Sequence, residues 1–300
     1  MPDVGFLYSG SSNSMGPLLT KFKNLMPGGV NVVPRHADDD YSTLLGHAGN
    51  LINNVRVQVL VAAGGPVSAI AARDATATQP LPKTRVVFTS VTDPVGSQLY
   101  PAGGNLTGVA GMTTELDAAR LRILQELDPT RTTIGVLTNP NRPNVAKQLA
   151  DLTAGKDPKL TLVPQPAGTQ GSPGTGAKVR QAIQNLPTTV RALLVTADPL
   201  FNSRRPDVIP EVAAKGIPAI YQWNEFVHEG GLMSFGPSID EEYFAAANYV
   251  VKLLNNPGLP AADIPLYQPK KFELVIRLGT ATTLGINIPQ SLLVRAELIP

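Results

Sequence analysis

One local arrangement recurs along this chain and limits its possible folds more than any other feature. A short apolar run ends in a few small polar residues, a proline follows, and a segment of helical period begins. It reads Val86-Val-Phe-Thr-Ser-Val-Thr-Asp-Pro94, Ile134-Gly-Val-Leu-Thr-Asn-Pro140 and Leu193-Leu-Val-Thr-Ala-Asp-Pro199. A glycine form is Val59-Leu-Val-Ala-Ala-Gly-Gly-Pro66, and the first apolar run carries a longer one, Phe6-Leu-Tyr-Ser-Gly-Ser-Ser-Asn-Ser-Met-Gly-Pro17. Asp, Asn and Gly suit a helix N-cap, while proline at the first helical position gives up no needed N–H and has its φ already set. Each strand therefore hands over to a helix whose free N–H groups and positive dipole end point outward.

The rest of the chain keeps the alternation. Strands are predicted at Val4–Tyr8, Val30–Pro34, Val57–Val61, Arg85–Phe88, Leu106–Ala110 and Thr133–Leu137, then at Leu160–Val163, Ala192–Val195, Ala219–Tyr221, Gly231–Phe235 and Phe272–Ile276. Several are continuous Val/Ile/Leu runs, as expected of parallel strands covered on both faces. Helical stripes fill the gaps: Tyr41, Leu44, Leu45, Ala48, Leu51 and Ile52 within Asp38–Asn53, and Leu116, Ala119, Ile123 and Leu127 within Glu115–Leu127. Phe244, Ala247, Val251 and Leu254 mark a third, Ile239–Asn255, opened by a capping box of Ser238 and Glu241. Asp38-Asp-Asp40 is read as an acidic first turn. The fold class is thus α/β, with doubly wound parallel sheets and right-handed crossovers.

At 300 residues the chain is long enough for two such units. One βα run covers Pro2 to Met112 and another Thr113 to Phe235. A late helix within Gly236–Pro260 and a strand with a tail in Ile264–Pro300 indicate a chain that crosses between lobes more than once. Charges are sparse at 16% and mixed, for a net of +2 with no Lys/Arg block, which argues against nucleic acid as a partner. With no cysteine there is no disulfide, thiolate metal site or cysteine nucleophile. No stretch reads as a membrane span, and Met1-Pro-Asp3 leads straight into a strand, without an export leader.

Signatures of catalysis and cofactors are absent. There is no dinucleotide fingerprint, P-loop or G-x-S-x-G elbow. His36, His47 and His228 are scattered. We expect no enzyme activity, no cofactor and no metal.

In open α/β sheets the strand ends lie on one edge, where ligands bind. Two such edges, facing each other, would form a cleft lined by backbone donors and small hydroxyls. Ser9, Ser11 and Ser12 are expected to donate to a carboxylate or similar group at the first helix N-terminus. Gly64, Gly65, Thr89 and Ser90 complete that wall, and Asp93 and Asp198, N-caps first of all, could pair with an ammonium. From the second lobe come Thr138, Asn139, Ala197 and the Tyr221–Glu225 loop, with Tyr221, Trp223 and Glu225 singled out in it. Asp93 with Glu225 is the one acid–base pair an enzyme of this class could use.

The run Val87-Phe-Thr-Ser-Val-Thr-Asp-Pro-Val-Gly96, followed by Pro101-Ala-Gly-Gly-Asn-Leu-Thr-Gly-Val109, resembles the ABC-transporter substrate-binding proteins of the tryptophan/tyrosine-type family. Pro269-Lys-Lys-Phe-Glu-Leu-Val-Ile-Arg-Leu278 and Thr280-Ala-Thr-Thr-Leu-Gly-Ile-Asn-Ile-Pro-Gln-Ser-Leu-Leu293 are similar to the family's ending, and Thr196-Ala-Asp-Pro-Leu200 and Gly216-Ile-Pro-Ala219 fit the same template. The resemblance implies a type I periplasmic-binding fold with crossovers near Gly111–Thr114, Ser234–Pro237 and Ile264–Pro269. The lobes would then be 1–112 with 236–263, and 113–235 with 264–300. It also implies a monomer outside the cytoplasm, a signal or lipoprotein anchor upstream, a permease and an ATPase as partners, and a small organic solute such as an aromatic amino acid. The loop Tyr221-Gln-Trp-Asn-Glu-Phe226 departs from the small residues expected there, and Trp223 or Tyr221 would either stack on a planar ligand or pack as a helix-capping aromatic on its own lobe. A cytosolic ligand-sensing domain of the same fold is the alternative.

Overall fold

The structure is a computed structural model that describes residues 2–91, 94–95, 97–100, 104–111, 115–142, 145–169 and 174–300. Its contacts divide the chain into Met1–Met112 with Ile239–Lys270, and Thr113–Ser238 with Lys271–Pro300. The chain therefore passes from one unit to the other three times.

In chain order the first stretch runs β1 (Asp3–Tyr8), α1 (Ser12–Asn24), β2 (Asn31–His36), α2 (Leu44–Gly49), β3 (Val59–Ala63), α3 (Pro66–Ala77), β4 (Arg85–Val91) and β5 (Leu106–Ala110). The second runs α4 (Glu115–Leu127), β6 (Thr133–Thr138), α5 (Val145–Ala154), β7 (Thr161–Pro166), α6 (Gly176–Gln184) and β8 (Ala192–Val195). It continues with α7 (Pro199–Ser203), α8 (Arg205–Lys215), β9 (Ala219–Tyr221), α9 (Glu225–His228) and β10 (Met233–Pro237). Then α10 (Ile239–Asn255) returns to the first unit, and β11 (Phe272–Arg277), α11 (Leu278–Thr283), α12 (Gln290–Leu293) and β12 (Glu297–Ile299) complete the second.

The first sheet is ordered β2-β1-β3-β4-β5 and the second β12-β11-β10-β9-β8-β6-β7. Without β11 and β12, the second sheet repeats the order of the first, strand for strand. The strands pair in parallel throughout except β11, which runs antiparallel to β10. The apolar runs form these strands because helices cover both faces: every residue of β3, β5 and β8 is buried.

The boundaries expected after Phe235 and before Ile264 lie later in the chain. Gly236 and Pro237 still pair with Glu273 and Phe272 in the second sheet. The segment from Ile264 to Lys270 stays with the first unit, where Thr107 Oγ1 donates to the Ile264 carbonyl at 2.8 Å and Tyr267 bridges Val109.

Three local expectations are corrected. The helix predicted over Asp38–Asn53 is broken up. Asp38 and Asp39 have φ of 47° and 65°, and the Asp40 carboxylate accepts from Ser42 N at 3.2 Å, so these aspartates form a turn and cap rather than a first helical turn. A 3₁₀ turn Tyr41–Thr43, then α2, then a π-helical turn Asn50–Val55 follow, the last closed by Arg56 at φ 61°. In α10 the buried stripe is Tyr243, Ala246, Ala247, Val250 and Leu253, one position round from the expected one, and Phe244 is 56% exposed. Alanines at the contact let α10 approach the sheet closely, while Tyr243 reaches the Phe6 ring at a centroid distance of 6.3 Å. The tail also adds β12, whose brief Glu-Leu-Ile pattern carries too little signal to be predicted.

Candidate functional site

Strand order fixes where a ligand edge lies in each unit, taken by itself. In the first sheet the chain leaves β1 towards β2 on one side and returns to β3 on the other. In the second it does the same between β6, β7 and β8. The crevice beyond the carboxyl ends of such a diverging pair is where open α/β sheets take their ligands. Ser9, Gly64, Gly65, Thr138, Asn139, Ala197 and Asp198 fall on these ends, whereas Thr89 and Ser90 lie in β4, and Tyr221, Trp223 and Glu225 at and after β9.

In the first unit, Ser9 follows β1 and Gly64 follows β3. The Ser9 hydroxyl donates to the Gly64 carbonyl at 2.8 Å, tying the two strand ends together. Gly64 has φ 86°, and a Cβ on it would stand 2.5 Å from Ser9 Oγ and 3.0 Å from the Tyr8 ring. Gly65 (φ 93°, ψ −166°) caps α3 and donates its N–H to the Thr89 carbonyl of β4 at 3.3 Å. Ser11 is the N-cap of α1, its oxygen accepting from Ser14 N at 3.3 Å. Ser12 N donates to Asp38 Oδ1 at 3.1 Å. The serines expected to hold a ligand carboxylate are thus partly used by the protein. Ser9 and Ser11 build the edge, and Asp38 already supplies an acidic acceptor at the start of α1. The exposed Ser12 hydroxyl and the buried Thr89 hydroxyl have no hydrogen-bond partner among the described residues.

Ser90 sits in the left-handed region at φ 57°, inside an irregularity of the β4–β5 pairing between Phe88 and Val91. Its hydroxyl donates to the carboxylate of Glu242, a fully buried residue in the first turn of α10. Gly111, the last described residue before the first crossing, lies against both: its Cβ would be 3.0 Å from Ser90 Cα and 3.3 Å from Glu242 Oε1. Asp93 lies outside the described residues.

In the second unit, Asn139 follows β6 and Asp198 lies beyond β8. Asn139 Nδ2 donates to Asp198 Oδ1 at 2.9 Å, the counterpart of the Ser9–Gly64 tie. The same Asp198 oxygen accepts from Leu200 N at 2.9 Å, capping α7, so this buried carboxylate is held by the protein's own donors. Thr138 and Ala197 are buried beside this tie. Tyr221 is 1% exposed and stacks on Phe226 at 4.5 Å with an interplanar angle of 10°. Burial holds its phenol well above the usual tyrosine range. The structure therefore packs Tyr221 into its own unit instead of offering it as a wall. Glu225 opens the short α9 and is half-buried.

Trp223 is different. It is 6% exposed, and its indole N–H has no partner among the described residues. Gln222, inside the loop expected to close over the solute but not itself singled out, is in the same condition at Oε1. Buried polar atoms of this kind are few in native proteins and mark places where another polar group completes the shell. A loop carboxamide has no periodic pattern that could have revealed it.

Behind this loop lies a buried ionic support. Arg120 of α4, completely buried, donates through Nη1 to Asp117 Oδ1 at 2.6 Å and through Nε to the Phe235 carbonyl of β10 at 2.7 Å. Gln148 holds the other Asp117 oxygen. Burial lowers the Arg120 pKa from its usual value, and the Asp117 charge opposes that shift. Gly236 lets β10 press on the loop, since a Cβ there would meet the Gln222 carbonyl at 2.2 Å.

Among the described residues no group of three or more His, Cys, Asp or Glu could hold a metal ion, and no helix is long and apolar enough to cross a membrane.

A family model described as ABC transporter substrate binding protein matches residues 30–299. No curated protein matches the chain. Solved structures do. A conserved domain protein from Vibrio cholerae is 22% identical with a TM-score of 0.84, covering 99% of both chains. An ABC domain from Streptococcus pneumonia, in complex with L-Trp, is 21% identical with a TM-score of 0.84 and the same coverage. A ligand-free, open substrate binding protein with adhesive properties from Clostridium difficile is 21% identical with a TM-score of 0.64, covering 100% of this chain and 99% of its own. At these identities the likeness establishes the two-lobed type I periplasmic-binding fold.

Proposed function

Because the chain belongs to the ABC transporter substrate-binding protein family, we propose that it is the extracytoplasmic solute-binding component of an ABC importer. It captures a small organic solute, performs no chemistry on it, and as a monomer passes it to a permease driven by an ATPase. The observation that carries this reading is the duplicated switch point. Each sheet diverges at its first strand, and in each a side-chain hydrogen bond, Ser9 to Gly64 or Asn139 to Asp198, stiffens that end. Two preformed edges of this kind, on units joined by three crossings, suit binding by hinge closure.

The solute we favour is an aromatic amino acid or a related aromatic carboxylate. Supporting this are the buried indole N–H of Trp223, the Gln222 carboxamide and the Thr89 hydroxyl, together with the L-Trp complex of the similar Streptococcus pneumonia domain. An indole offers an apolar face and one donor, which fits a planar ligand with a polar handle. The edge hydroxyls speak against catalysis: Ser9 is bonded to a carbonyl and Ser11 to Ser14, so neither is paired with a histidine base.

A thermal-shift screen of aromatic amino acids, aromatic acids, aliphatic amino acids and sugars tests the reading. A true ligand at about 100 times its Kd adds roughly 2.7 kcal/mol of stability. Stabilisation by aromatic amino acids is expected, and Trp223→Ala should remove it. Stabilisation by sugars alone would overturn the aromatic assignment, and conversion of the bound compound would overturn the absence of catalysis.

A further inference from the structure

The first unit has a second concave site at the opposite edge of its sheet. A cavity of about 680 Å³ opens where β3, β4 and β5 begin, walled by the turn after α10. That volume lies within the range of small-molecule sites, about 300 to 1,000 Å³. Strands of this length separate it from the Ser9–Gly64 edge by roughly 15 Å, at about 3.3 Å per residue.

Its lining is one-sided in charge. Arg56, Lys83 and Arg85 contribute, and no Asp or Glu does, although the chain as a whole nearly balances 25 Lys and Arg against 23 Asp and Glu. Arg85 is fixed: Nη1 donates to the Leu253 carbonyl at 2.7 Å and to the Asn256 carbonyl at 3.0 Å at the end of α10. The side chains of Arg56 and Lys83 make no hydrogen bond or ion pair with any described residue, Arg56 being held only through its backbone N–H on the Leu51 carbonyl. Apolar surface stands beside these cations, from Leu259 and from Leu81, which is 85% exposed. These two side chains give the mouth an apolar side next to its cations.

We propose that this cavity is a second binding site, for a small amphipathic anion: a carboxylate on an apolar chain or ring, its charge between Arg56 and Lys83 and its body against Leu81 and Leu259. Cations without partners favour the negative charge, and the absence of lining carboxylates leaves nothing to repel it. Arg85, tied to the α10 carbonyls, keeps the floor of the site rigid.

Two probes test this on the full chain: anilinonaphthalene sulfonate, read by fluorescence, and octanoate as its competitor. Saturable dye binding, displaced by octanoate, is expected for the wild type. R56E/K83E should lower both affinities by roughly tenfold or more, as removal of close charge pairs does. K156E/K159E, the same charge change on the second unit, should leave them unchanged, and tryptophan should not displace the dye. If R56E/K83E fails to fold by circular dichroism, Lys83→Gln with the octanoate titration takes its place, with a smaller loss expected. Equal losses in both double variants, no loss in R56E/K83E, or no displacement by octanoate would overturn the site. Binding to phosphatidylglycerol vesicles that depends on Arg56 and Lys83, without binding of free octanoate, would assign the patch to a bilayer and overturn the small-molecule proposal.

Discussion

Single residues set the shape of the two ligand edges through contacts that lie far apart in sequence. Gly64 combines a positive φ with a Cβ position 2.5 Å from Ser9 Oγ. Gly64→Ala should therefore cost roughly 1–3 kcal/mol in urea denaturation. Gly28→Ala, at a position with open space around it, should be neutral within about 0.5 kcal/mol. Asn139→Ala removes a donor from the buried Asp198 carboxylate and should cost about 1–3 kcal/mol while weakening solute binding. A stability loss without a binding loss would make that tie purely structural. Tyr221 gives a prediction about pH. Its folded pKa is raised above the usual 10 by burial, so the contribution of the neutral phenol is complete below about pH 10 and declines as the pH rises beyond it. Tyr221→Phe should extend stability on the alkaline side and leave solute affinity unchanged; a large loss of affinity would put the phenol in the site. At this scale the sequence revealed the Asp198 cap, because it obeys a local rule, but not that Ser11 caps α1. It could not reveal Ser9 meeting Gly64, or Ser90 turning at φ 57° to reach Glu242, since both need a partner on another element.

Elements were legible where burial and local propensity agree. β5, β8, β9, α4 and α10 have the predicted limits, because Leu/Ile/Val runs bounded by polar turns leave one solution. Where tertiary contact decided the outcome, the pattern misled. The stripe through Phe244 is a fair amphipathic reading, yet the sheet took Tyr243 and the alanines instead. Tyr243→Ala should accordingly cost about 3–5 kcal/mol, whereas Phe244→Ala should cost less than about 1 kcal/mol; comparable losses in guanidinium titrations would contradict the observed face. The segment after Asp38 failed for a related reason. Aspartates tolerate left-handed backbone, and two successive ones turned the chain where a helix start was expected. In the second unit, Asp117 and Arg120 join α4 to β10 through the Phe235 carbonyl. Breaking a buried pair leaves a charge stranded, so Asp117→Ala should be among the most damaging substitutions, at roughly 3–5 kcal/mol.

For the molecule as a whole, the strand-end prolines held only in part. Pro66 and Pro199 open α3 and α7 as expected, but Pro17 lies inside α1, and Pro140 stands in a turn ahead of α5, which begins at Val145. Sheet order is what fixes the edges. A permutation that begins with a divergence at its first strand puts one crevice in each unit, and the chain builds that permutation twice. Membership of the substrate-binding family rests on residues 30–299, and the proposed solute class on fewer groups: the buried, unpartnered polar atoms of Trp223, Gln222 and Thr89. Whether the chain captures an aromatic amino acid at these edges is decided by calorimetric titration of the purified protein with L-tryptophan, L-tyrosine and L-phenylalanine, repeated on Trp223→Ala and Asn139→Ala. One saturable site for at least one of these amino acids, recovered unchanged after binding, is expected, with weaker binding in both variants. A folded wild-type chain that binds none of them, or binds one equally well in both variants, would contradict that expectation.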